Sequence, residues 1–392
     1  MTTLTLEGLD ALITALGGLG YEVHGPRAVG GVIAPDRIES VDDLPLGWTD
    51  EQSGGQYRLR PRADQARFGY AVGPRSWKEI LHPARTPIWT MERTPAGEGT
   101  PVELRVRMHE PAVVARAFVG VRPCELAAIA RQDRVLAHGP HPDPTYGANR
   151  AANVIVAVNC AEPAATCFCP SQGTGPRAVA GGYDIALTEL VEPTADAADA
   201  SDAAGAAAGP EPRYVVEVGS LRGAELLSAL PAHCLADDPH DEARAASVTD
   251  RAAAAITRSV ESEGIKELLY ESLESDRWEA VAQRCLTCAN CTLACPTCFC
   301  TDLEDVTDLT GNRAERWRVW DSCFSLAFSQ LGPAPQRSSA ASRYRQWLVH
   351  KMGSWHDQFG ESGCVGCGRC ITWCPVGIDL TEELAALRQE AS

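Results

Sequence analysis

The chain has 392 residues, 45% of them hydrophobic and 22% charged, with a formal net charge of −17 at pH 7. That length excludes a single small domain and allows two or three domains with proper cores. The acid excess argues against a protein that binds nucleic acid or an anionic membrane surface, where a basic patch would be expected.

From the start of the chain, Met1 to Gly18 carries Glu7 and Asp10 and no basic stretch, which argues against a secretory signal. Leu6, Leu9, Leu12, Ile13 and Leu16 recur at helical spacing and predict a helix with a core-facing stripe. No apolar run is long enough to span a bilayer. Without an export signal, the sixteen cysteines are expected in a reducing, cytoplasmic compartment. There they serve as metal ligands more often than as disulfides.

Residues 1 to about 190 read as mixed α/β, because β-branched runs at Val113–Val121 and Val154–Val158 flank a helical pattern over Glu125–Ala137. Strand, helix, strand predicts a βαβ unit with parallel strands. Cys124 opens the helix and Cys160 lies just past the second strand, so both fall at carboxyl ends of strands. Open α/β sheets place ligands at that edge. Cys167 and Cys169 follow in the next loop and can return to the same spot. Two readings of these four cysteines stand side by side: a metal cluster, or inert thiols of a buried core. Gly173-Thr174-Gly175-Pro176 lacks a full phosphate-loop pattern and reads as a plain turn.

Pro193–Pro212 is an acidic, Ala/Gly-rich stretch with no apolar face, expected to be a surface loop. A strand at Tyr214–Val218 and a helix at Leu221–Leu230 are expected to return to the first domain. The predicted organisation is an α/β (α+β) domain over 1–245, a helical connector over 246–284, and a largely α-helical two-cluster ferredoxin domain over 285–392.

That last region holds two identical runs, Cys285-x2-Cys288-x2-Cys291-x3-Cys295-Pro296 and Cys364-x2-Cys367-x2-Cys370-x3-Cys374-Pro375. Each matches the two-cluster ferredoxin pattern, in which three cysteines hold one [4Fe–4S] cluster and the fourth ligates the other. Cluster A is therefore assigned to Cys285, Cys288, Cys291 and Cys374, and cluster B to Cys364, Cys367, Cys370 and Cys295. Paired zinc sites compete with this reading, but zinc does not call for eight cysteines in two matching runs. The small residues of Gly363–Gly368 are expected to let the backbone approach cluster B. The 68 residues between Cys295 and Cys364 form an insertion, with helical character expected at Arg313–Arg318 and Ser338–Lys351. Cys234, Cys298, Cys300 and Cys323 receive no ligand role. His109, His138 and His141 fit no metal spacing, and no catalytic triad, flavin or nicotinamide fingerprint is read.

GVRPCELAAI (120–129), VNCAEPAATCFCPSQGTGP (158–176), CPTCFCTD (295–302), WDSCF (320–324) and GCVGCGRCITWCPVGIDL (363–380) together resemble one family. It is the iron–sulfur β subunits of cytoplasmic NAD(P)-linked [NiFe] hydrogenases of the sulfhydrogenase type, and the chain is also similar to the iron–sulfur subunit of anaerobic sulfite reductase. The resemblance implies a relay that does not catalyse alone. It implies as partners the hydrogenase large and small subunits and a flavin subunit that exchanges hydride with NAD(P)H. It also favours a third cluster at Cys124, Cys160, Cys167 and Cys169. The rival functions are a relay for a sulfite reductase, an enzyme reducing polysulfide at an open iron, and a protein using metal only for stability.

Overall fold

The computed structural model describes residues 2–94, 102–179, 181–192 and 210–391. The acidic stretch at 193–212 therefore lies almost wholly outside the described residues.

The N-terminal part is built on an eight-stranded sheet. Its order is Leu235–Ala236, Thr3–Leu4, Arg213–Val218, Ile185–Leu190, Val154–Val158, Arg116–Val121, Glu22–Val29 and Val32–Arg37. The middle strands Glu22–Val29, Arg116–Val121, Val154–Val158 and Ile185–Leu190 pair in parallel. Val154–Val158 and Ile185–Leu190 are buried along their whole length, as strands covered on both faces must be. The helix Pro123–Gln132 is the crossover between Arg116–Val121 and Val154–Val158, with Pro123 in its first turn where a missing N–H costs nothing. The βαβ unit expected from the sequence is present.

The first helix, Leu6–Gly18, is capped by the Thr5 hydroxyl, which accepts from Gly8 N at 3.0 Å. It buries Leu9, Leu12, Ile13 and Leu16 against Val119, Val156 and Leu187 of the sheet. Gly8 is required there, because a Cβ would run into the Cys234 carbonyl.

Helices Asp241–Ala255, Ile265–Glu271 and Arg277–Ala282 lead into the first cysteine run. A second core forms around Trp278, Phe324, Tyr344, Trp347, Leu348 and Leu384, and it also takes in Phe168 from the N-terminal part. Helix Ala340–Val349 forms within the insertion, as its sequence predicts.

Arg313–Arg318 does not form the expected helix; Arg313–Trp320 is a strand. It pairs antiparallel with Thr301–Thr307 on one side and with Arg85–Thr94 on the other, and Glu103–Met108 completes a four-stranded sheet. The segment reads RAERWRVW, and the alternation, not the Arg content, decides it. Arg316 stands opposite Asp305, with Nε to Oδ1 at 2.7 Å, and its guanidinium lies 5.4 Å over the Trp89 ring. Such cross-strand pairs stabilise a sheet. The cysteine-rich part thus contains a hairpin as well as helices, and this hairpin ties it to the N-terminal chain. Among the described residues no helix is long and apolar enough to cross a membrane.

Candidate metal centres

The two runs and the N-terminal cysteines each gather a set of thiols. In the first, Thr287 (φ 51°) and Ala289 (φ 67°) adopt left-handed backbone between the cysteines, a strain that non-glycine residues accept only where the loop must turn tightly. The loop brings Cys285, Cys288 and Cys291 to one cavity. Cys374, from the end of the second run, lines the same cavity, walled by Leu286, Phe324, Tyr344, Trp347 and Ile378. Backbone N–H groups already point at sulfur: Thr287 N to Cys285 Sγ at 3.4 Å, and Ile378 N to Cys374 Sγ at 3.3 Å. Burial pushes the Cys291 thiol up, and Cys285, Cys374 and Cys288 push it further. Cys288 is exposed, so this cavity opens toward the surface.

The second run places Cys364 and Cys367 in the interior beside Cys295. Gly366 N donates to Cys364 Sγ at 3.4 Å. The Cys370 thiol is raised by burial first, then by Cys364, Cys295, Cys367 and Cys291. The four residues assigned to cluster B therefore surround one another, and Cys291 lies close enough to couple the two sets. A buried lysine ammonium, Lys351 Nζ, stands 3.2 Å from Cys295 Sγ.

Cys124 sits in the first turn of its helix, and Cys160 just beyond the strand Val154–Val158. Burial raises the Cys124 thiol, followed by Cys367, Cys160 and Cys169. The Cys167 thiol is pushed up to about 12 by burial and then by Cys160. All four N-terminal cysteines thus meet at the carboxyl edge of the parallel strands, with Cys367 of the second run against them.

What holds this third set beside the second is a close approach of backbones. Phe168 N donates to Gly366 O at 2.8 Å, Thr174 Oγ1 to Val365 O at 2.7 Å, and Thr166 Oγ1 meets Thr372 Oγ1 at 2.8 Å. Gly366 has φ +63°, and a Cβ there would lie 2.6 Å from Cys169 Cα. The Gly363–Gly368 stretch thus admits the N-terminal Cys-Phe-Cys loop as well as freeing N–H groups for sulfur. Gly366→Ala is expected to destabilise the chain by about 2–3 kcal/mol, from overpacking plus left-handed strain. Urea titration under anaerobic conditions checks this; a cost near zero would show that the two loops do not need contact.

Several charged residues around these sets gave no sequence signal. Arg369 is 1% exposed and joins its Nη2 to Glu125 Oε1 at 2.6 Å, while its Nε donates to Gly73 O at 2.7 Å. Arg122, also 1% exposed, donates to the carbonyls of Phe68, Tyr70 and Asn159. Lys78 Nζ donates to the carbonyls of Leu293, Cys295 and Cys298. Of the unassigned cysteines, Cys298 lies against Cys295, and Cys300 against Cys323, which holds the Cys300 thiol down at about 7. Cys234 stays apart, under the first helix.

Thiolates packed this closely would repel one another, so they need a cation to be ionised together, and iron supplies that charge. The apolar cavity, the N–H groups aimed at sulfur and the buried ammonium at Cys295 all fit an anionic iron–sulfur cluster. Among the described residues no three His, Cys, Asp or Glu side chains close tightly enough to chelate a single ion.

Residues 284–378 match the 4Fe-4S dicluster domain family. Sulfhydrogenase 2 subunit beta of Pyrococcus furiosus is 31% identical over 273 residues, which cover 69% of this chain and 73% of that protein. No solved structure matches the chain significantly. With a dicluster domain at its C-terminus and that relative along most of its length, the chain belongs to the sulfhydrogenase beta-subunit family of iron–sulfur proteins.

Proposed function

We propose that this chain carries single electrons between a [NiFe] hydrogenase catalytic module and a flavin module that reduces NAD(P)+, in the cytoplasm. Two [4Fe–4S] clusters would be held by Cys285, Cys288, Cys291 and Cys374, and by Cys364, Cys367, Cys370 and Cys295; a third would take Cys124, Cys160, Cys167 and Cys169. When bound, such clusters accept and release one electron at a time. The observation that carries the reading is the continuity of the three thiol sets. Cys291 of the first lies by Cys370 of the second, and Cys367 of the second lies by Cys124 of the third.

The chain's own part is to fix distance and exclude water. Phe324, Tyr344 and Trp347 wall the first set, and Val72, Ala128 and Val365 pack where the second meets the third. At one end Cys288 is exposed beside Leu286 (60% exposed), a place for a partner to approach. The other partners and the hydride chemistry would lie on separate subunits.

The test is anaerobic purification of the tagged chain from its native host, with identification of co-eluting subunits and an assay of hydrogen-dependent NAD(P)+ reduction. Co-elution of a nickel-containing pair and a flavoprotein with that activity is the expected result. A sirohaem protein with sulfite reduction alone would overturn the hydrogenase assignment.

A further inference from the structure

Two lysines are buried beside the second thiol set, and among the described residues neither forms an ion pair with a carboxylate. Lys78 spends its hydrogen bonds on backbone carbonyls and lies 4.0 Å over the Trp320 ring. Lys351 is different, because its Nζ donates to sulfur, 3.2 Å from Cys295 Sγ, and to Thr297 Oγ1 at 3.0 Å. The Thr297 hydroxyl in turn donates to Gly363 O at 2.7 Å, which leaves its oxygen turned to the ammonium. The Lys351 carbonyl accepts from Gly363 N at 2.7 Å, so backbone and side chain are both pinned to the approach of Cys364.

Lys351 belongs to a π-helical turn, His350–Ser354, between the helices Ala340–Val349 and Trp355–Phe359. Such turns shift the helical register and recur at functional sites. Here the turn buries Lys351, Met352 and Gly353 together. A buried ammonium is costly unless an opposite charge or a full set of acceptors meets it, and at Lys351 the partner is the Cys295 sulfur. Of the other buried cations near this set, Arg369 is paired with Glu125 and Arg131 with Glu361, while Lys78 lies against backbone carbonyls and the Trp320 ring. Among the described residues no lysine or arginine lines the cavity of the first set. The positive charge is therefore lopsided: an ammonium without a carboxylate partner touches Cys295, whereas Arg343, a buried arginine near Cys285, lies outside the cavity wall and donates to the Arg337 and Ser338 carbonyls.

We propose that Lys351 is a positioning residue that holds the Cys295 thiolate and raises the reduction potential of the cluster bound by Cys364, Cys367, Cys370 and Cys295 above that of the cluster bound by the first set. The proposal rests on the cluster assignment given above. Reduction adds one negative charge to the cluster, and a fixed ammonium in a low-dielectric interior favours the more negative state. The middle station of the relay would then be where an electron waits.

The test uses the full chain, purified anaerobically, in four forms: wild type, Lys351→Met, Lys351→Gln and Lys351→Arg. Iron and sulfide content are measured first, and each cluster's potential is then followed by redox titration with electron paramagnetic resonance. In the two neutral variants, one potential should fall so that the reduced-to-oxidised ratio at the wild-type midpoint drops at least about tenfold, or 59 mV for a one-electron couple. The other potentials should hold, and Lys351→Arg should stay near wild type. Neutral variants with full iron and unchanged potentials would overturn the proposal, as would a shift in Lys351→Arg equal to that in Lys351→Met. Iron lost from both neutral variants but kept in Lys351→Arg supports the electrostatic hold on Cys295. Loss from all three overturns it, leaving only a packing defect. A wild-type chain that lacks cluster iron would instead sink the underlying assignment.

Discussion

Cys374→Ala is expected to abolish the cluster assigned to the first cysteine run, although Cys374 lies in the second. The residue shares a cavity with Cys285, Cys288 and Cys291, and Cys285 and Cys374 are the first thiols to raise Cys291. Iron should fall by about four atoms per chain, one [4Fe–4S] cluster. The resonance lost should be the one lost in Cys285→Ala. Cys295→Ala should likewise copy Cys364→Ala, since Cys295 lies among the second run's thiols. If Cys374→Ala instead matched Cys364→Ala, each run would hold its own cluster and the exchange of ligands would be wrong. The physical basis of the exchange is geometric. Three cysteines at x2 spacing wrap one cluster, and the x3 step before proline sends the fourth away from it.

Breaking the buried ion pair between Glu125 and Arg369 should cost about 3–5 kcal/mol, the penalty for stranding one buried charge. Glu125 follows Cys124 on the N-terminal helix, and Arg369 lies between Cys367 and Cys370. Glu125 Oε2 also accepts from Trp77 Nε1 at 3.1 Å and from Arg122 N at 3.2 Å, so the carboxylate has no spare partner to lose. Glu125→Leu and Arg369→Met should each shift the urea midpoint strongly and speed the loss of iron. The double variant should cost less than either single change, because two apolar side chains leave no charge unpaired. If a single variant cost under about 1 kcal/mol, the pair would be acting as a solvated surface bridge, and something else would hold the second and third thiol sets together.

Much of the site could be read without the structure. The spacing of the two cysteine runs pointed to a two-cluster domain, which the dicluster family match over 284–378 supports, because a cubane imposes its own dimensions on a short loop. Period and composition likewise predicted strands over 113–121 and 154–158 and a helix over 125–137, where the structure has 116–121, 154–158 and 123–132, and so set Cys124 and Cys160 on one sheet edge. Where the reading failed, local preference was overridden from outside. Arg313–Trp320 is a strand because its alternating residues meet Asp305 across the hairpin and Trp89 on the distant strand Arg85–Thr94, both partners of Arg316.

The sequence by itself therefore determined the cluster-binding loops, the α/β character of the N-terminal part and the sheet edge on which its cysteines sit, since each follows from residues within one turn or one strand. Tertiary structure alone decided that the N-terminal cysteines meet Cys367, that Gly366 opens the way for that contact, and that Lys351 reaches Cys295 from 56 positions along the chain. A lysine is an ordinary solvated residue until the fold removes its water. Which charge ends up beside which thiolate depends on packing between distant segments, and no local pattern encodes it.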